Sequence, residues 1–147
     1  MTALSNVAAD MLKRVGMNVD YQATDFGTVV QRRTSTKPPA EGGWNLLCIG
    51  ASGLDAFTPA THLSLRCNGR GAGYGWPNDP KLEELRESWL DAPDLATQQR
   101  IAKEIQLQAF HEIPYFPIGL TRLPTAVRPD ITGVLQGFAL FWNVRRI

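Results

Sequence analysis

The sequence is poor in the residues that anchor metal and redox chemistry, with two cysteines and two histidines in 147 residues. Cys48 and Cys67 form no C-x-x-C pair and cannot build a zinc site without other ligands. They are compatible with one disulfide in an oxidising compartment or with two buried free thiols, and spacing alone does not choose between these. His62 and His111 have no carboxylate or cysteine at metal spacing, so both are expected to be structural. There is no excess of charge of either sign. Fifteen Lys and Arg against fourteen Asp and Glu leave a formal net charge of +1, which gives no reason to expect nucleic acid or an anionic membrane as partner. No apolar run reaches the ~18 residues of a transmembrane helix. The N-terminus, Met1-Thr2-Ala3-Leu4-Ser5-Asn6, lacks a basic segment followed by an apolar one. By itself that suggests a cytoplasmic chain, although a segment of a longer precursor would begin in the same way.

What is present suits a soluble globular fold. With 44% hydrophobic and 20% charged residues, residues 1–147 have the size and composition of one domain. Leu4, Val7, Ala8, Met11, Leu12 and Val15 recur at helical spacing, predicting a helix over residues 2–15 that stops at Gly16. Met17, Val19, Tyr21 and Ala23 then alternate with polar residues, as in a half-buried strand. Thr24 or Asp25 can cap a second helix that carries Phe26, Val29, Val30 and Arg33 on one face. A Pro- and Gly-rich loop over 35–43 leads to a short apolar strand, 44–49. A short helix is expected over 58–65. Asp79 followed by Pro80 marks a helix start, with Leu82, Leu85, Trp89 and Leu90 inward. Asp94 caps a longer helix to about Glu112, with Ile101, Ile105, Ala109 and Phe110 inward, and Pro114 ends it. Residues 115–122, 125–128 and 138–142 look like strands. The order predicts an α/β fold, a mixed sheet flanked by helices. The first helix would cover a strand that the chain itself does not supply.

Three motifs invite chemistry. Gly50-Ala51-Ser52-Gly53 resembles a nucleophile elbow, but Leu54 stands where the last glycine belongs. Gly69, Gly71, Gly73 and Gly75 do not complete G-x-G-x-x-G in either register, since Tyr74 and Trp76 fall on its last position. What remains is a pair of loops, 50–58 and 69–76. The first lies beyond the carboxyl end of a buried strand, where open α/β sheets bind ligands. The second combines backbone that a ligand can approach with the apolar area of Tyr74 and Trp76. The expectation is a binding lobe without catalytic groups, metal or cofactor. Two alternatives stand beside it. One is an interaction domain with no small ligand, marked by an exposed apolar patch. The other is a small hydrolase built on Ser52 and His62.

Four stretches carry a resemblance to a known family. They are Ala9 to Val19, a helix ending in glycine before a strand; Trp44-Asn45-Leu46 running into Gly50 to Pro59; Trp76-Pro77-Asn78-Asp79-Pro80 opening a helix; and Ala96 to Ile118, where a helix ends in Glu112-Ile113-Pro114-Tyr115. Gly137-Phe138 to Trp142-Asn143 fits a closing strand. In this order they resemble the C-terminal part of family 5 extracellular solute-binding proteins, the dipeptide- and oligopeptide-binding components of ABC importers. The usual aspartate of the second stretch is Asn45 here, and the loop after it lacks the family's aspartate–proline-rich form.

The resemblance implies a periplasmic-binding-protein-like lobe, separated from its N-terminal domains, that captures a peptide or related solute and delivers it to a membrane permease. It implies a non-enzymatic, periplasmic protein. The ligand residues would be Ser52, Gly53, Leu54, Asp55 and Phe57, with Asp55 pairing a ligand amine or else serving as a turn cap. Tyr74 and Trp76 would cover the ligand.

Overall fold

A computed structural model describes residues 2–122, 124–135, 137 and 140–147. The four α-helices among the described residues form where their end signals are written. Helix α1, Thr2–Arg14, places Lys13 and Arg14 in its last turn, against the negative end of the helix dipole. Gly16 ends it at φ 89°, with Gly16 N–H donating to Lys13 O and Met17 N–H to Leu12 O, both at 3.0 Å. That is a Schellman closure, which needs a left-handed residue and therefore favours glycine. Helix α2, Phe26–Arg32, starts at Asp25, whose carboxylate accepts from Thr28 N–H and Oγ1. These bonds hold the Asp25 carboxyl below its ordinary range. The Arg32 guanidinium then ties α2 to the loop that follows, donating to Gly43 O at 2.7 Å and to Gln22 Oε1. Gly43 is buried, and a Cβ there would meet Lys37 O at 1.6 Å, so only glycine lets the loop close on itself.

Helix α3, Pro80–Leu90, and helix α4, Leu95–Glu112, are joined by a short link and pack as an αα-hairpin. Asp79 caps α3 by accepting from Lys81 N–H, and Asp94 caps α4 by accepting from Thr97 N–H. The core lies here: Leu82, Cys67, Ile105 and Ile101 are buried, with Leu65, Leu85, Trp89 and Ala92 packed on them. Two residues expected inward are not. Leu90 is exposed, and so is Phe110, which stands about 140° round the helix from Ile105. Ile113 closes α4 in the left-handed region, at φ 51°. The stretch expected as a helix over 58–65 is a hydrogen-bonded turn at 58–62 followed by one 3-10 turn, Leu63–Leu65.

The sheet departs from expectation. Residues 17–24, 44–49 and 115–122 run without regular structure and without ladder partners among the described residues, as do 124–128. Strand β1, Ile131–Thr132, and strand β2, Arg145–Arg146, make a two-residue antiparallel pair in which Ile131 faces Arg146 and Thr132 faces Arg145. The Asp130 carboxylate clamps this pair through Arg128 and Arg146 at 2.9 and 2.8 Å. Of the strand expected at 138–142, Phe138 and Ala139 lie outside the described residues, and 140–142 are not in a strand. Among the described residues the fold is therefore helix-rich with one small two-stranded sheet, and the wider mixed sheet expected from the sequence is not formed there. The reason is physical: a helix satisfies its own backbone, whereas a strand must borrow partners. Both cysteines are free, Cys67 buried and Cys48 exposed, so neither a disulfide nor a pair of buried thiols is what forms.

Candidate functional site

The α3–α4 hairpin serves as a base for the two loops. Glu83 Oε1 accepts from Cys67 N–H at 2.7 Å and from Arg86 Nη1 at 2.8 Å, and Arg86 Nε donates to Pro59 O at 3.2 Å. Asp79 Oδ2 accepts from Gln108 Nε2 at 2.8 Å, and Asp79 N–H donates to Cys67 O at 2.8 Å. An antiparallel bridge between Asn68 and Asn78, with Gly69 N–H donating to Pro77 O at 2.9 Å, closes the neck of the glycine-rich loop. Burial, with Asp79 and Glu83 nearby, pushes the Cys67 thiol up to about 11.

The first loop presents its expected ligand residues together. Ser52 Oγ accepts from Leu54 N–H at 3.3 Å, Asp55 N–H donates to Ser52 O at 3.1 Å, and Phe57 N–H donates to Leu54 O at 3.3 Å. This compact turn leaves Ser52, Gly53, Leu54, Asp55 and Phe57 exposed. The Asp55 side chain caps nothing, since no hydrogen bond reaches its carboxylate among the described residues. Thr58 O accepts from His62 N–H at 3.0 Å. The His62 ring then lies 5.2 Å from that of Tyr115, with Nε2 3.1 Å from the Tyr115 hydroxyl. Partial burial, and secondarily the charge of Arg86, lowers the affinity of His62 for a proton.

The second loop is already engaged by the scaffold. The Arg33 guanidinium sits 4.4 Å over the Tyr74 ring. Trp44 Nε1 donates to Arg33 O at 3.2 Å, and Trp44 and Trp76 rings are 6.1 Å apart. Trp76 reaches this position at φ 50°. Tyr74 and Trp76 thus share one cluster with Arg33 and Trp44, whereas Ser52 to Phe57 form another. No hydrogen bond, ion pair or ring contact joins the two among the described residues. Sequence reasoning missed Arg33, Arg86 and Tyr115, whose partners lie far away in the chain. Trp44 had one available signal, its place at the head of an apolar run.

Other chemistry finds little footing. Ser52 Oγ takes a backbone N–H and His62 Nε2 takes Tyr115, so the two are not joined as a nucleophile and its base. Among the described residues no group of three His, Cys, Asp or Glu is placed to hold a metal, and no helix is long and apolar enough to cross a membrane. A shallow cleft of about 120 Å³ opens between Leu4 of α1, residues 48–51 and residues 118–121.

No family model matches the chain. Among curated proteins, it is 31% identical over 143 residues to the "Probable peptide ABC transporter periplasmic-binding protein y4tO" of Sinorhizobium fredii (strain NBRC 101917 / NGR234). The aligned region takes in 97% of this chain and 27% of that protein, so the chain spans about a quarter of its relative's length. The resemblance drawn from four separate stretches and the 31% identity along nearly the whole chain agree: this chain is a homologue of one part of a protein named as a peptide ABC transporter periplasmic-binding protein.

Proposed function

We propose that the chain is the C-terminal part of a solute-binding protein and supplies one wall of a cleft that captures peptides, or related small solutes, for import through an ABC transporter. The observation that carries this is the identity to a peptide-transporter binding protein along 97% of the chain. The geometry supports it. An exposed turn offers Leu54 and Phe57 as apolar contacts and Asp55 as an unengaged carboxylate, and the chain just beyond it is held at Pro59 by Arg86 and at His62 by Tyr115. Asp55 would meet the amine of a peptide. Tyr74 and Trp76 would form an apolar border stiffened by Arg33 and Trp44.

In this role the protein does no chemistry on its ligand. It works in the periplasm, where its other domains complete the cleft and a membrane permease receives the solute. Binding would close the lobes about a hinge, which buries the ligand between them.

Calorimetry on the complete protein with an amine-bearing peptide tests the proposal. Asp55→Ala should weaken binding by more than ~1 kcal/mol, the scale of a charge-assisted hydrogen bond. Unchanged affinity would remove Asp55 from the site. The 147-residue chain alone should bind the same peptide poorly, because one wall leaves most of a ligand wet.

A further inference from the structure

The hydrogen bonds inside the turn at 52–57 give it shape but do not attach it to anything. Attachment comes just downstream, at two points. Pro59 O is held by Arg86 of α3, and His62 is held by Tyr115 from the segment after α4. Both holders are themselves fixed. Arg86 is an ion pair with Glu83 at 2.8 Å, with side chains only 11% and 20% exposed. Tyr115 follows Ile113, locked in the left-handed region, and Pro114, so the end of α4 aims it.

We infer that His62 and Tyr115 form a pin that sets where the turn at 52–57 stands, which makes them positioning residues for the candidate peptide site. The inference rests on the proposed role of that turn, but the pin is testable without any ligand. With Nδ1 carrying the proton of neutral His62, Nε2 accepts from the Tyr115 hydroxyl. Protonating that tautomer turns Nε2 into a donor, so the bond must reverse. It also sets a second cation near Arg86, whose countercharge Glu83 is already engaged. Acid therefore loosens the pin, and the turn should sense it.

The experiment is NMR of the 147-residue chain titrated between about pH 5 and 8, where an unperturbed imidazole changes charge. His62 should titrate below 6.5, its ordinary value, and the amides of residues 53–57 should shift with the same midpoint. Tyr115→Phe should displace the loop amides at neutral pH and move the His62 midpoint. His62→Gln, whose amide oxygen can still accept from Tyr115, should hold the neutral positions and abolish the titration. Loop amides that stay flat while His62 titrates would overturn the pin, as would a Tyr115→Phe spectrum unchanged in residues 53–57. In the complete protein, Tyr115→Phe should weaken peptide binding several-fold with Asp55 intact. If the proposed role of the turn is wrong, affinity is flat in both Asp55→Ala and Tyr115→Phe while the NMR response remains.

Discussion

In the middle of the chain, α3 and α4 enclose Leu82, Ile101 and Ile105 with Cys67 from the preceding loop. On either side, α1 shows Val7, Met11 and Val15 to solvent, and the extended segments 17–24, 44–49 and 115–122 have no ladder partners among the described residues. The middle is self-sufficient because each helix satisfies its backbone internally and the hairpin link is short. The flanks have strand composition without the neighbours a ladder requires, and their apolar residues have no layer to enter. The contrast teaches that, among the described residues, one buried centre is flanked by helices and extended segments that lack ladder partners. The proposed remainder of the protein would be what the flanks pair with.

The sharpest way to break that contrast is to mutate its centre. Leu82→Ala opens a cavity among fully packed neighbours and should cost about 2–5 kcal/mol in urea unfolding. Met11→Ala, on the exposed face of α1, should stay within about 0.5 kcal/mol. Equal costs would mean that the hairpin is not the stability centre. Next comes Asp79, a buried cap that also takes the Gln108 amide. Asp79→Ala should cost about 1–3 kcal/mol, since it removes a cap and orphans a polar partner. Asp79→Asn, which can still cap, should cost less.

The two thiols report the same contrast without destabilising anything. Cys48 should react with a thiol reagent at once, whereas Cys67, 1% exposed, should react only when the hairpin opens. The folded Cys67 thiol lies at about 11 against an ordinary 9.0, so the folded state holds a proton that the unfolded state gives up. The stabilisation is full below pH 9.0 and is lost as pH rises towards 11. Cys67→Ala should flatten that alkaline loss. His62 has the opposite sign. Its stabilisation is full above 6.5 and is lost as pH falls through its lowered folded value.

The same division explains what could be read before the structure. Asp79 with Pro80 and Asp94 each named a helix start, and of the two caps offered for α2, Thr24 and Asp25, the structure uses Asp25, because a cap acts on N–H groups two or three residues away. Gly16 named an end for the same local reason. Alternation in residues 17–23 says which side chains share a face but not which strand lies alongside, so no pattern within the segment could report whether it joins a ladder. A loop over 50–58 was legible, and within it Ser52 acts through its own side chain, Oγ accepting from Leu54 N–H. The packing of Tyr74 on Arg33 and of His62 on Tyr115 spans about 40 and 50 positions, and no periodicity connects such pairs.

The smallest effect distinguishes the two regions by cooperativity. Arg100 and Glu104 on α4 meet at 2.6 Å, and Asp10 and Arg14 on α1 at 2.8 Å, all four side chains being largely exposed. Each pair is therefore worth no more than about 0.5 kcal/mol. The α1 pair has the better geometry, with the acid N-terminal to the base and Arg14 at the negative end of the helix, whereas the α4 pair runs in the reverse order. Orientation alone thus predicts the larger coupling on α1. Cooperativity predicts the reverse for global unfolding, because a contact counts there only if its element unfolds with the core. A double-mutant cycle should accordingly find a small, salt-sensitive coupling for Arg100–Glu104 in global unfolding. For Asp10–Arg14 it should find none there, with a change confined to the helicity of α1. A larger global coupling on α1 than on α4 would show that the flank and the hairpin unfold as one.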